Sequence, residues 1–138
     1  MKNIFLSLLL TFLLFAITHS QERWDTYISS LQMPCYPPLA RAARVQGKAK
    51  VKLTVGVDGS IASAEALEGN ALLTKAAVEN VRTWRFGTAE RQSLEPTIVV
   101  FDYKLEDGSS GSNRCASRVV FESWSRVTVV SNFQPPLD

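Results

Sequence analysis

Few side chains in this 138-residue chain are suited to chemistry. The one histidine, His19, falls in an apolar leader, so the chain beyond that leader offers no imidazole for a triad, a general base or a metal site. Glu65 and Glu68 are close enough in sequence to suggest an acid–base pair, but on a small strand and its turn they read as surface charges. Gly56, Gly59 and Gly69 fall in a strand interior, a turn and a loop, which is not the setting of a phosphate-binding loop. Cys35 and Cys115 are the two cysteines, and two thiols do not build a structural zinc site. With no CxxC spacing they read as a disulfide in an oxidising compartment. Such a bond would close a loop of roughly 80 residues, nominally worth about 4 kcal/mol in the chain-entropy description. These residues describe a protein that is not an enzyme and uses no cofactor and no metal.

The leader supports the compartment. Lys2 and Asn3 precede an apolar run from Ile4 to Ile17, and Thr18-His19-Ser20 supplies small residues around a cleavage site before Gln21. That run is shorter than the ~20 residues a membrane span needs, so residues 1–20 read as a signal peptide, the alternative being retention as an anchor. No cysteine follows it to carry a lipid. The whole chain has a net charge of +2, and loss of Lys2 leaves it one unit lower, a balance with no footprint for nucleic acid or an anionic membrane surface.

Local patterning places the remaining residues. Residues 21–34 form a lead-in with Trp24, Tyr27 or Ile28, and Leu31 at helical spacing. Pro34, Pro37 and Pro38 enforce an extended entry, and Leu39 to Val45 follows as a short helical segment with Leu39 and Val45 able to face a sheet. From Gly47 to Val57 the sequence alternates, with Ala49, Val51, Leu53, Val55 and Val57 on one face and Lys48, Lys50, Lys52 and Thr54 on the other, the pattern of a half-buried strand. The lysines read as a solvated face. Asp58-Gly59 suits a two-residue hairpin turn leading into Ser60 to Leu67. A helix then starts between Asn70 and Thr74, presents Leu73, Ala77, Val81 and Trp84 along one stripe, and ends at Gly87. Trp84 reads as a core anchor.

After a polar loop from Thr88 to Glu95, Thr97 to Leu105 forms the next strand. Val99, Phe101, Tyr103 and Leu105 share one face, and Ile98, Val100, Asp102 and Lys104 the other, which is apolar for half its length and open to a covering element. A turn-rich connection follows, and then Arg118 to Val130 as one bulged strand or two short ones with a break around Ser123 to Ser125. Asn132 to Asp138 reads as an irregular tail.

Taken in order, Tyr36-Pro37, Ala40, Ala43-Arg44-Val45, Gly47, the alternating strand, Asp58-Gly59, the helix and Trp84-Arg85-Phe86 resemble the C-terminal domain of TonB-type energy transducers. The similarity runs from about Tyr36 to Leu105. It implies an α+β, two-layer domain spanning 35–105, with an antiparallel three- to four-stranded sheet packed by one main helix. The order is ββαβ plus an extra C-terminal strand within 106–138. Tyr36, Pro37, Ala40, Arg44, Gly47, Asp58, Gly59, Trp84, Arg85 and Phe86 are then structural motif residues. The resemblance also implies a periplasmic protein-binding module of envelope transport that adds an extended segment of an outer-membrane TonB-dependent transporter to the edge strand Thr97 to Leu105. Strand addition needs only unpaired main-chain groups.

The chain departs from that pattern. About fifteen residues separate the leader from Tyr36, where a transducer needs a long spacer, and Ser7 and His19 are too far apart to reproduce the family's anchor pair. Residues 118–130 can pair with the very edge a transporter would use. Two further readings stay open, a minimal transducer anchored by an uncleaved leader and a soluble structural or regulatory protein whose edge is already filled. A homodimer through exposed strands is a third possibility for partners.

Overall fold

The nine-residue strand β2, Gly47–Val55, has its alternation satisfied by burial on one face. Ala49, Val51, Leu53 and Val55 are at most 1% exposed, and the facing lysines point to solvent. The computed structural model describes residues 28–87, 96–107, 115 and 118–133. The leader, Trp24 and Tyr27 of the lead-in, the polar loop 88–95, most of the connection 108–117 and residues 134–138 lie outside the described residues.

The expected helical turn of the lead-in is not seen where the chain is described, since Ile28–Ser30 form a strand, β1. Pro38–Ala42 form the short helix α1, which is shifted from the expected segment and buries Ala40 while Leu39 stays 70% exposed. Proline at N1 starts it, and Arg44, at φ +54, has left the helical region by the fourth position after Ala40.

Five residues, Gly56 to Ser60, connect β2 to β3 (Ile61–Glu68), in place of the expected two-residue turn. The Gly56 N–H donates to Ser60 O at 2.8 Å, and the Gly59 N–H donates to Gly56 O at 3.0 Å. Val57 therefore sits in the loop, 67% exposed, and off the buried face. Gly59 takes the positive φ, +83°, that closes such a loop, and a Cβ there would collide with the carbonyl oxygen of Phe86.

Helix α2, Ala71–Val81, is capped by Asn70, whose Oδ1 accepts from the Leu72 N–H at 2.9 Å. Its buried stripe holds Leu73, Ala77 and Val81 as the periodicity requires. It ends at Val81, well before Gly87. Asn80 causes the early stop by gathering the next residues: its carbonyl accepts from Thr83 Oγ1 at 2.7 Å and its Oδ1 from Trp84 Nε1 at 2.9 Å. Arg85–Phe86 are then free to form strand β4, which pairs with β1, and the Phe86 N–H donates to Gly59 O.

The main sheet has five strands in the order β3-β2-β5-β7-β6, where β5 is Thr97–Glu106, β6 Arg118–Ser123 and β7 Arg126–Asn132. The expected three to four antiparallel strands thus become five, with one parallel pair, β5 and β7. Residues 118–132 supply two of these strands, β6 and β7, joined through Trp124 and Ser125. β7 lies inside because it is apolar towards both faces: Val127, Val129 and Val130 are at most 1% exposed. β6 alternates and takes the edge.

Helix α2, Tyr36, Trp84 and Phe86 cover one face of the sheet. On the other face Lys50 meets Glu68 at 2.7 Å and Arg118 meets Glu106 at 3.1 Å, while Ile98 stays 49% exposed. That face carries these charge pairs over β2–β3 and β5–β6, while on β7 Val130 is buried within it at 1% exposure.

Candidate protein-binding edge

The motif residues form a brace under the sheet. Tyr36 is fully buried, and its hydroxyl donates to Val45 O at 2.6 Å, tying the entry segment to the start of β2. Its ring meets Tyr103 edge-on at 5.4 Å. Cys35, next in sequence, is bonded to Cys115 with a Cα–Cα distance of 4.4 Å, and the Tyr36 N–H donates to Cys115 O at 2.7 Å. Arg44 lies over the Phe133 ring at 5.1 Å, an attraction between its charge and the ring face. Arg85 donates to Trp84 O at 2.9 Å. Asp58 Oδ1 accepts from both the hydroxyl and the N–H of Ser60, which together hold its carboxyl below the ordinary range. Ala40 and Trp84 are buried, Pro37 precedes α1, and Gly47 has φ +134°. These residues hold backbone in place.

Burial raises the phenol of Tyr36 to about 12. Tyr103 is raised further by its burial and by the nearby Tyr36, and its hydroxyl has no hydrogen-bond partner. A phenol held protonated in this way is inert. Among the described residues no group of His, Cys, Asp and Glu could hold a metal, and no helix is long and apolar enough to cross a membrane.

Thr97 to Leu105 does not form an edge. On one side β5 pairs with β2 from Gly47↔Tyr103 to Leu53↔Thr97. On the other it pairs with β7 from Val100↔Arg126 to Glu106↔Asn132, and the Val100 N–H donates to Ser125 O at 2.9 Å. Thr97, Ile98 and Val99 precede that parallel register, but Val99 is fully buried. The expected acceptor strand is therefore interior, closed by the chain's own C-terminal hairpin.

Removing that hairpin would be costly. Val127 and Val129 are fully buried in the core, and Phe121 and Trp124 pack against Trp84 and Phe86 at 6.3 and 5.8 Å. At roughly 1.5–3 kcal/mol for each large apolar side chain fully buried, Val127 and Val129 alone are a sizeable share of the ~5–15 kcal/mol that stabilises a whole domain, and the half-buried Phe121 and Trp124 add a smaller one. The hairpin is part of the fold.

The sheet ends are consequently β3 and β6. β3 is blunted by two register shifts against β2 and by Glu65 and Glu68. β6 carries Val119 and Phe121 half-buried on the core side and Val120, 40% exposed, on the other. Val119, Val120 and Phe121 were absent from the sequence-based site. The residue pattern carries no signal for them, since Val119-Val120-Phe121 is as apolar as Val127 to Val130, and only burial separates the edge strand from the inner one.

Comparison with known proteins agrees with this architecture. The family model for the Gram-negative bacterial TonB protein C-terminal matches residues 32–105, more than half of the chain, and stops before β6 and β7. The solution structure of the Pseudomonas aeruginosa TonB C-terminal domain is similar at 22% identity and a TM-score of 0.52, covering 64% of this chain and 95% of that one. No curated protein matches the chain. With the motif brace, the helix and the sheet all in place over the matched residues, the chain belongs to the TonB C-terminal family.

Proposed function

We propose that this chain is an exported protein-binding module of envelope transport, which accepts an extended segment of an outer-membrane transporter by strand addition at β6. The family supports the kind of partner. The position of β7 along β5 carries the choice of edge, because it closes the family's acceptor and makes β6 the outermost strand. Among the described residues nothing pairs with the outer side of β6, and an added strand would cover Val119, Val120 and Phe121 while joining main-chain groups with little demand on sequence.

The same position of β7 favours a second reading, a structural or regulatory protein in which the hairpin permanently shuts the transporter-binding edge. Amide hydrogen exchange with a transporter plug peptide separates the two. Strand addition predicts new protection at 118–123 with 97–106 unchanged. No protection anywhere at saturating peptide removes the binding proposal and leaves the second reading. Protection at 97–106 with loss at 126–132 would instead mean that the peptide displaces the hairpin, contrary to the energetics above.

A further inference from the structure

The sequence of β6 is complementary to itself. Two antiparallel copies joined in one continuous sheet are related by a two-fold axis perpendicular to it, so each residue faces one of the same parity. With Val120 on that axis, Val119 faces Phe121 of the second copy, and Arg118 comes opposite Glu122, which lies at the shift in register between Phe121 and Ser123. Centring the axis on Val119 sets Arg118 against Val120, and centring it on Phe121 sets Val120 against Glu122. Only the Val120 register matches charge with opposite charge and apolar with apolar at every pair, the combination that stabilises cross-strand neighbours.

The structure prepares these side chains for it. Val120 is 40% exposed on the face away from α2. Arg118 and Glu122 flank it there, held towards that face by Glu106 at 3.1 Å and by Thr128 Oγ1 at 3.0 Å. Both charges remain exposed. On the opposite face the half-buried Val119 and Phe121 end the hydrophobic core at the sheet edge, where a second copy would continue it.

We infer that the β6 edge pairs with β6 of a second copy of this chain, about a two-fold axis at Val120, to form a ten-stranded sheet. This rests on the same open edge as the proposed function and adds its regulation: self-pairing and addition of a transporter segment exclude one another. A bare sheet edge is a hazard for uncontrolled association. A closed symmetric pair protects it until a partner competes.

The contact is one short strand per copy, so the dimer forms reversibly, and sedimentation velocity over micromolar to millimolar concentrations of the full oxidised chain reads it. The wild type should shift from monomer to dimer. Arg118→Glu and Glu122→Arg should each weaken the dimer at least tenfold by opposing like charges, and the double variant should recover it. The double variant does not restore the contacts Arg118 makes with Glu106 or Glu122 with Arg126 inside one copy, so recovery reports on the contact between copies. Circular dichroism confirms that each variant is folded. A wild type that stays monomeric throughout, a dimer indifferent to both single changes, or a double variant as weak as the singles would each overturn the inference. A dimer that persists unchanged with peptide bound would overturn the exclusion alone, and peptide binding by a strictly monomeric protein would leave the proposed function standing without the dimer.

Discussion

The indole of Trp84 and the ring of Phe121 lie 6.3 Å apart at 55°. Trp84 belongs to the family motif and Phe121 to a hairpin beyond the family match. This pair joins the hairpin to the core of the family-matched residues, and it makes the hairpin structural. Phe121→Ala should destabilise the chain by about 2 kcal/mol, less than the ~3–5 of a fully buried aromatic because Phe121 is only half-buried. Urea denaturation followed by tryptophan fluorescence measures it, and a change below about 0.5 kcal/mol would mean that the hairpin is not anchored there.

The Cys35–Cys115 bond joins residues 80 apart in sequence. Replacing both cysteines with serine should lower stability by about 2–4 kcal/mol, the usual range for a closed loop of this size. The loss should match that of the wild type under reductant. Equal denaturation midpoints for oxidised and reduced protein would show that the bond constrains nothing.

Tyr103 hides a hydroxyl with no partner. Tyr103→Phe should therefore be neutral to stabilising, by about 1 kcal/mol, since it removes a buried polar group and keeps the ring contacts with Tyr36 and Phe101. The raised phenols also set an alkaline limit. Below the ordinary phenol value of 10.0, folded and unfolded chains are equally protonated at these groups. Above it the unfolded chain loses protons that the folded chain keeps, up to about 12 at Tyr36 and beyond at Tyr103, so stability falls as pH rises. Thermal melts from pH 8 to 11 should show that fall, shallower in Tyr103→Phe. A flat profile would remove the assignment.

At the β2–β3 loop, Gly59→Ala should cost more than 1 kcal/mol, because its φ of +83° and the carbonyl of Phe86 both exclude a Cβ. Asp58 makes the same loop sensitive to acid. Its lowered folded value means that its contribution is present above the ordinary 3.8 and is lost as pH falls through the depressed value. Asp58→Ala should flatten the stability profile between pH 4 and 2, as read by denaturant titration at each pH.

Much of the local structure was legible in the residues. Ala49 to Val55 named the buried face of β2, Leu73, Ala77 and Val81 the buried stripe of α2, Trp84 the core anchor, and Cys35 with Cys115 the one pairing two cysteines allow. Each follows from a period or a residue type acting over a few positions. The end of α2 was misread because Asn80 holds Trp84 through a side-chain contact, and the turn at Asp58-Gly59 because the main-chain bonds that close it, from Gly56 to Ser60 and Gly59 to Gly56, are made by groups common to every residue.

The candidate site was less legible, for a physical reason. Alternation tells which face of a sheet a side chain occupies, and says nothing about which strand lies alongside, since the lateral bonds are made by main-chain groups common to every residue. Thr97 to Leu105 therefore read equally well as an edge or as an interior strand. The family pattern led to the edge. By itself the sequence determined a two-sided strand there and, after it, strand-forming residues that read as one bulged strand or two short ones. Only the tertiary structure decided that β7 lies between β5 and β6, because burying Val127, Val129 and Val130 on both faces is possible only inside the sheet, and that placement moved the open edge to Arg118–Ser123.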